Sequence, residues 1–366
     1  MKSKNIIVIG ASAGGFEALK LLVNGLPSGF PAALFIVWHM APEVHGILPQ
    51  VLNRLAELPA AEAVNGEVIE HSRIYTAPPD RHMMLDNGFV RITRGPKENR
   101  FRPAIDPLFR SAAYEYGSNV IGVILSGSLD DGTSGLWTIK NRGGTAVVQD
   151  PNDAEVPSMP ASAMREVQVD HVMPIAQISE LLVKLVSDRQ NGKAPQSIEK
   201  DDRLSKQLKV EIGIAAEDNA LEAQVMEFGE LTPYTCPECH GVLSSLREGT
   251  ITRFRCHTGH AFTADSLLVS LTEDIEDSLW TAIRGVDESI ILLNHMGDHF
   301  AEANQPKLAA AFFRKAKEAQ QRNELIRRAV FSHEKLSADG LRQSSDVDPK
   351  HQSDSNGREM SASSDH

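Results

Sequence analysis

From residue 5 to about 187 the chain alternates short β-branched apolar runs with stretches of helical period, opening NIIVIG (5–10), FEALKLLVNGL, AALFIVWHM. Such runs suit strands buried on both faces, and the segments between them are long enough for crossover helices. The rhythm therefore restricts the fold to the α/β class, a mostly parallel sheet flanked by helices. Further strands are expected at 73–78, 89–94, 120–127, 145–150 and 171–175. Asn87-Gly88 supplies the positive φ angles of a tight turn and predicts one antiparallel excursion on the otherwise parallel sheet.

With 366 residues the chain is long enough for more than one domain. Residues 1–187 read as the α/β domain. The polar, charged stretch 188–232 reads as a linker. A Cys/His module is expected at 233–263, followed by a helical hairpin over 264–336. Its first helix, about 264–297, carries Leu268, Leu271, Ile275, Leu279, Ile283, Val286, Ile290 and Leu293 at three- and four-residue intervals. The second, about 306–334, starts at Pro306, which suits a first turn. The Ser/Asp-rich tail 337–366 holds too few aliphatic residues to order itself and is expected to be disordered.

Composition excludes several function classes. A net charge of −12 without a basic run disfavours phosphate backbones, so nucleic acid is not an expected partner. The N-terminal apolar stretch breaks at Gly10, too soon for an export signal, and AALFIVW (32–38) is far short of a membrane span. A cytoplasmic protein with no membrane insertion is the expectation. All three cysteines fall between 236 and 256, which excludes a disulfide framework. Cys236-Pro-Glu-Cys239 and Cys256-His-Thr-Gly-His260 form two chelating corners, and Cys236, Cys239, Cys256 and His260 suit tetrahedral structural zinc, with His257 as an alternative fourth ligand. Four protein ligands leave no open position for catalysis.

In open α/β sheets reactive groups gather beyond the carboxyl ends of the strands. Three apolar runs deliver complementary groups there: IIVIG leads to Ser12, LFIVW to His39, and VILSGSLD to Asp131. These are the parts of a nucleophile, its base and the group that orients the base. Small residues around Ser12 allow a sharp strand-to-helix turn, and the N–H groups of Ala13 and its neighbours suit an oxyanion. Other readings stand beside this one. GASAGG also suits phosphate binding or simple turn chemistry, His39 a structural strand end, and Asp130 and Asp106 compete with Asp131, whose neighbourhood also suits a helix cap.

Several segments in order resemble the chemotaxis protein-glutamate methylesterases of the CheB type: GASAGG (10–15), VWHM (37–40), IYTAPPDRHM (74–83), RFRPAIDPLFRSAA (100–113), VILSGSLDDGTSGL (123–136) and MPASAM (159–164). The resemblance places the catalytic serine on Ser12, the histidine on His39 and the aspartate on Asp131, the acid directly before the glycine. It implies a Rossmann-like fold and no catalytic cofactor. The implied reaction is hydrolysis of glutamate methyl esters on the cytoplasmic helices of methyl-accepting receptors, releasing methanol, with glutamine deamidation by the same chemistry. A separate response regulator or a methyltransferase is a further expected partner, and a non-catalytic adaptor in a chemosensory pathway is the alternative function. Gly127-Ser128-Leu129-Asp130-Asp131 departs from the GMGND string common in the family. Strand one begins at residue 5, so no receiver domain is expected in front of it. His45 and His82 fall in expected loops and read as structural or surface residues, while Arg102 and Asp106 are expected to order a loop near the substrate. The Cys/His module is similar to zinc-ribbon extensions of some stand-alone relatives, and with the helices after it is expected to dock a partner or cover the site.

Overall fold

Among the described residues nine strands precede the Cys/His segment: β1 (Ile6–Ala11), β2 (Ala33–Trp38), β3 (Ala60–Glu62), β4 (Arg73–Thr76), β5 (His82–Asp86), β6 (Phe89–Thr93), β7 (Val120–Ile124), β8 (Thr145–Gln149) and β9 (His171–Met173). Seven of them form a parallel sheet in the order β3-β4-β2-β1-β7-β8-β9. The computed structural model describes residues 5–40, 46–191, 202–217, 220, 227–334, 336–337 and 340–341. It divides into two compact units, Met1–Leu267 and Leu268–His366.

Alternation along β1 explains the layers. Ile7 and Ile9 meet α1 (Gly15–Asn24), α2 (Ile47–Leu55) and α6 (Ile175–Gln190) on one face. Ile6 and Val8 meet α3 (Ile105–Tyr116), α4 (Thr133–Asn141) and α5 (Ser158–Glu166) on the other. Each aliphatic side chain buried this way contributes roughly 1.5–3 kcal/mol. The chain runs from β1 to β2 on one side and later returns to place β7 on the other. A crevice therefore opens beyond the carboxyl ends of β1, β2 and β7, where such folds place their chemistry.

Three differences from the sequence reading have physical causes. The short edge strand β3 was not expected, because Ala60-Ala61-Glu62 lacks β-branched residues; backbone pairing to β4 makes it. The hairpin turning at Asn87-Gly88 forms, but β5 and β6 make a sheet of their own rather than an excursion on the main one. The segment read as a linker contains α7 (Asp202–Ala215), which buries Leu208, Ile214, Ala215 and the carboxylate of Glu211. A charged residue at the centre of the buried face hid the apolar stripe that would have announced this helix. Residues 192–201, 218–219 and 221–226 of this stretch and nearly all of the tail 337–366 lie outside the described residues.

The Cys/His segment forms a four-stranded antiparallel sheet, β10 (Glu230–Thr235), β11 (Val242–Glu248), β12 (Ile251–Cys256) and β13 (Ala261–Thr263). It belongs to the same compact unit as the parallel sheet. Between them lies a buried ionic cluster: Glu98 accepts from Arg110, Arg253 and Arg255, while Glu211 accepts from Arg253 and Arg255, and Glu248 from Arg253. Arg110, Arg253 and Arg255 are each 1% exposed or less. Charges this deep are tolerable only when paired.

After α8 (Ala264–Glu302) the chain turns into α9 (Pro306–Phe331), with Pro306 in the first turn. Within the second unit Asp287 accepts from Asn323 and Arg327, Trp280 meets Phe331 edge to face, and Phe300 stacks on Phe312, which fixes an antiparallel hairpin. Among the described residues no helix is long and apolar enough to cross a membrane.

Candidate active site

Ser12 follows β1 directly, in a turn whose geometry glycine permits. Gly14 adopts φ 70°, and a Cβ there would stand 2.6 Å from Glu155 Cβ. At Gly127 a Cβ would meet the Met159 sulfur at 2.1 Å and Ser12 Cβ at 2.8 Å, so only glycine lets the loop after β7 close on the serine. Ser12 N–H donates to Ser126 O at 3.0 Å, and Ser126 Oγ donates to Ala13 O at 2.8 Å while accepting from Val156 N–H at 2.9 Å. Trp38 Nε1 donates to Ser12 O at 3.1 Å. The N–H groups of Ala13 and Gly14, just ahead of α1, donate to no acceptor among the described residues and are free for an oxyanion.

His39 follows β2, its N–H donating to Ala11 O at 3.0 Å. Its Nδ1 lies 3.1 Å from Ser12 Oγ and its Nε2 lies 2.8 Å from Asp131 Oδ2. A carboxylate only accepts, so Nε2 carries the proton and Nδ1 is the bare nitrogen that faces the hydroxyl. Phe101 stacks on the imidazole, centroids 3.7 Å apart. The His39 side chain is 3% exposed and Ser12 8%.

Asp131 reaches this edge in the loop between β7 and α4. Oδ2 accepts from His39 and from Ile105 N–H, the first residue of α3, at 2.7 Å; Oδ1 accepts from Asn99 Nδ2 at 2.8 Å and Gly132 N–H at 3.0 Å. Burial alone would raise this carboxyl. The donors outweigh it, first His39, then Ile105 and Asn99, and hold Asp131 below the usual aspartate range. Asp130 points elsewhere, accepting from Thr263 Oγ1 at 2.7 Å, and burial pushes it up to about 8. Asp106 is likewise raised to about 7, by burial and then by the charge on Asp131. Of three neighbouring acids, Asp131 is the one built to stay charged.

The other residues singled out in the sequence have structural positions. His82 is not in a loop but in β5, fully buried, with Nε2 donating to Pro96 O at 2.9 Å; burial lowers its pKa. Arg102 holds Asp80 and Gly95 O. Asp106 Oδ1 accepts from Gly135 N–H at 2.7 Å and so ties α3 to α4. His45 lies outside the described residues. Asn99 and Phe101, both touching the constellation, were missed, because neither residue type signals chemistry by itself.

Cys236, Cys239, Cys256 and His260 bring their ligand atoms within 4.8 Å of one another. Cys239 Sγ and Cys256 Sγ are 3.6 Å apart, and Cys256 Sγ and His260 Nδ1 3.7 Å. Metal–sulfur bonds of about 2.3 Å in a tetrahedron require edges of roughly 3.8 Å, so three thiolates and one imidazole fit a zinc ion here. His257 packs against Gly241 outside this group.

The family model for CheB methylesterase matches residues 7–182. A relative from Leptospira interrogans serovar copenhageni, whose name marks it as a candidate protein-glutamate methylesterase/protein-glutamine glutaminase, is 39% identical over 180 residues, 49% of this chain and 93% of that protein. A protein-glutamate methylesterase/protein-glutamine glutaminase of Photorhabdus laumondii is 41% identical over 194 residues, 52% of this chain and 55% of that protein. The crystal structure of the Thermotoga maritima CheB methylesterase catalytic domain is 37% identical, with TM-score 0.49, covering 50% of this chain and 99% of that one.

Proposed function

The chain belongs to the CheB methylesterase family, and on that premise we propose that Ser12, His39 and Asp131 hydrolyse glutamate methyl esters on methyl-accepting chemoreceptors. The observation that carries this reading is the continuous contact from Ser12 Oγ through both nitrogens of His39 to Asp131 Oδ2. Ser12 Oγ attacks the ester carbonyl as its proton passes to His39 Nδ1. The oxyanion draws on the N–H groups of Ala13 and Gly14, each donor worth about a hundred- to thousandfold in rate. Asp131 stabilises the imidazolium, which then protonates the departing methoxide, so methanol leaves and Ser12 carries the glutamyl acyl group. Water, deprotonated by His39, breaks that ester and returns free glutamate and the serine hydroxyl. A glutamine side chain follows the same course with ammonia as the leaving group.

The substrate segments are the cytoplasmic helices of the receptor, the working compartment is the cytoplasm, and a separate response regulator or methyltransferase is the further partner. Residues 1–187 carry the chemistry. The 233–263 module holds a structural zinc on Cys236, Cys239, Cys256 and His260, where it would supply folding energy and no reaction step. The hairpin of 264–336 is a further part of the chain. Purified full-length protein incubated with methylated receptor should release methanol, and Ser12→Ala should abolish the release. Equal release by both proteins would remove the triad, and equal function of both in a cell lacking the native protein would favour the adaptor.

A further inference from the structure

Residues 97–101 touch the triad twice, through Asn99 on Asp131 and Phe101 on His39. The contacts that fix this loop come largely from the Cys/His module. Asn99 N–H donates to Ala261 O at 2.8 Å, and Ala261 N–H donates to Lys97 O at 3.3 Å, so the loop pairs in parallel with β13. Lys97 also reaches Glu238, between the two cysteines of the first corner, at 3.0 Å. Next to Asn99, Glu98 is locked into Arg253 and Arg255 of β12.

Asn99 is 1% exposed, and both ends of its amide are hydrogen-bonded. Oδ1 accepts from Thr263 N–H at 3.0 Å and from Ser266 Oγ at 3.4 Å; Nδ2 donates to Asp131 Oδ1 at 2.8 Å and Asp106 Oδ2 at 2.9 Å. The two ends of an amide are opposite in polarity. Because Thr263 N–H fixes where the oxygen lies, the NH2 end must face the two carboxylates. Without that anchor the amide is free to turn its oxygen toward Asp131, replacing a donor by a repelling acceptor. The backbone of Asn99 sits at φ 50°, a left-handed conformation that asparagine tolerates better than most residues.

Resting on the reading of Ser12, His39 and Asp131 as the triad, we propose that Asn99 is a positioning residue for Asp131 and that β13 of the Cys/His module sets its orientation. The module is thereby part of the catalytic assembly. It completes the second layer of contacts around the triad acid, a task that residues 1–187 do not fulfil alone.

The test uses the full chain and a fluorophosphonate probe, whose rate of labelling reports activation of Ser12 whatever the natural substrate. Labelling of the wild type and none of Ser12→Ala establishes the nucleophile independently of any change at Asn99. Asn99→Ala removes both donors of the amide, including the one that reaches the charged Asp131, so labelling and kcat should fall about tenfold to a hundredfold, with KM moving by less than about threefold. The acid limb of the rate profile should also move to higher pH, because Asp131 loses a donor that favours its charged form. The isosteric Asn99→Asp keeps the shape and removes both donors, and should shift that limb further. In the wild type, hydrogen exchange at the Asn99 amide should be slow, because Ala261 O accepts it. Unchanged rate and pH profile in a folded variant with a labelled wild type would overturn the role of Asn99. Fast exchange at its amide would overturn the part assigned to β13.

Discussion

Phe101 lies face to face on the imidazole of His39, with ring centroids 3.7 Å apart and planes inclined by 10°. The stack restrains the ring in the plane that serves Ser12 and Asp131 together. Stacked aromatic pairs are worth about 0.5–1.5 kcal/mol, so Phe101→Ala should lower kcat by about threefold to tenfold, with little change in KM. Phe101→Leu, which fills the space without a π face, should lie between. Steady-state methanol release checks both, and a variant with wild-type kcat would dismiss the stack as incidental.

The adjacent acids at 130 and 131 should behave in opposite ways. Asp131→Asn replaces an acceptor that faces the His39 Nε2 proton and the Ile105 N–H, forces the wrong tautomer, and should cost about a thousand- to ten-thousandfold in kcat. Asp130→Asn keeps an oxygen for Thr263 Oγ1 and should leave kcat within about threefold. If the two losses were interchanged, the triad acid would be Asp130.

The legible parts of this chain were those written as period and sequence order. Runs such as Ile6–Ala11 and Ala33–Trp38 declared parallel strands, and the groups at their ends announced Ser12, His39 and the acids near Gly132. Which acid faces the imidazole is a matter of rotamer and loop path, and spacing alone left it open. Asn99 and Glu98 were illegible for a different reason. Their partners, Thr263, Arg253 and Arg255, stand more than 150 positions away, and no local pattern encodes such a contact. The same holds for α7, whose buried face is centred on Glu211 and so imitates a solvated one.

Glu98 sits among the guanidiniums of Arg110, Arg253 and Arg255, and these hold its carboxyl below the ordinary range against the opposing pull of burial. Replacing it by glutamine leaves three buried cations sharing the remaining carboxylates. Removing one partner from such a cluster typically costs about 3–5 kcal/mol. Urea unfolding of Glu98→Gln should show a loss of that size, and a loss below about 1 kcal/mol would mean that the cluster relaxes around the change.

Stability should peak in weakly acidic solution. Burial raises Asp130 to about 8 from 3.8, and burial together with the charge of Asp131 raises Asp106 to about 7. A raised folded pKa contributes stability that is complete below the unfolded value near 4, declines progressively above it, and is gone once pH has climbed through 7 and 8. Glu211 runs the other way: burial opposes its ionisation, but Arg255 and Arg253 prevail and hold it near about 2, so its contribution is present above about 4.5 and lost on acidification. The melting temperature should therefore be highest at about pH 4 to 5 and fall on both sides. Asp130→Asn should flatten the alkaline fall and leave the acid one. An alkaline limb unmoved by that substitution would show that Asp130 titrates at its ordinary value in the folded protein.

The four ligand atoms of the Cys/His module lie within 4.8 Å of one another, close to the edges of a zinc tetrahedron. Bound metal would make folding of β10 to β13 depend on it, because an unfolded chain offers no preformed site. Elemental analysis of the purified protein should find about one zinc per chain. Removing the metal with a chelator should expose the thiols of Cys236, Cys239 and Cys256 to a disulfide reagent and lower the melting temperature. His260→Ala should lose the metal and His257→Ala keep it, since His260 belongs to the cluster of ligand atoms and His257 does not. Metal-free protein with fast-reacting thiols, and a melting temperature that added zinc does not raise, would show that these side chains cluster without a metal and that the buried Arg–Glu contacts hold the sheet.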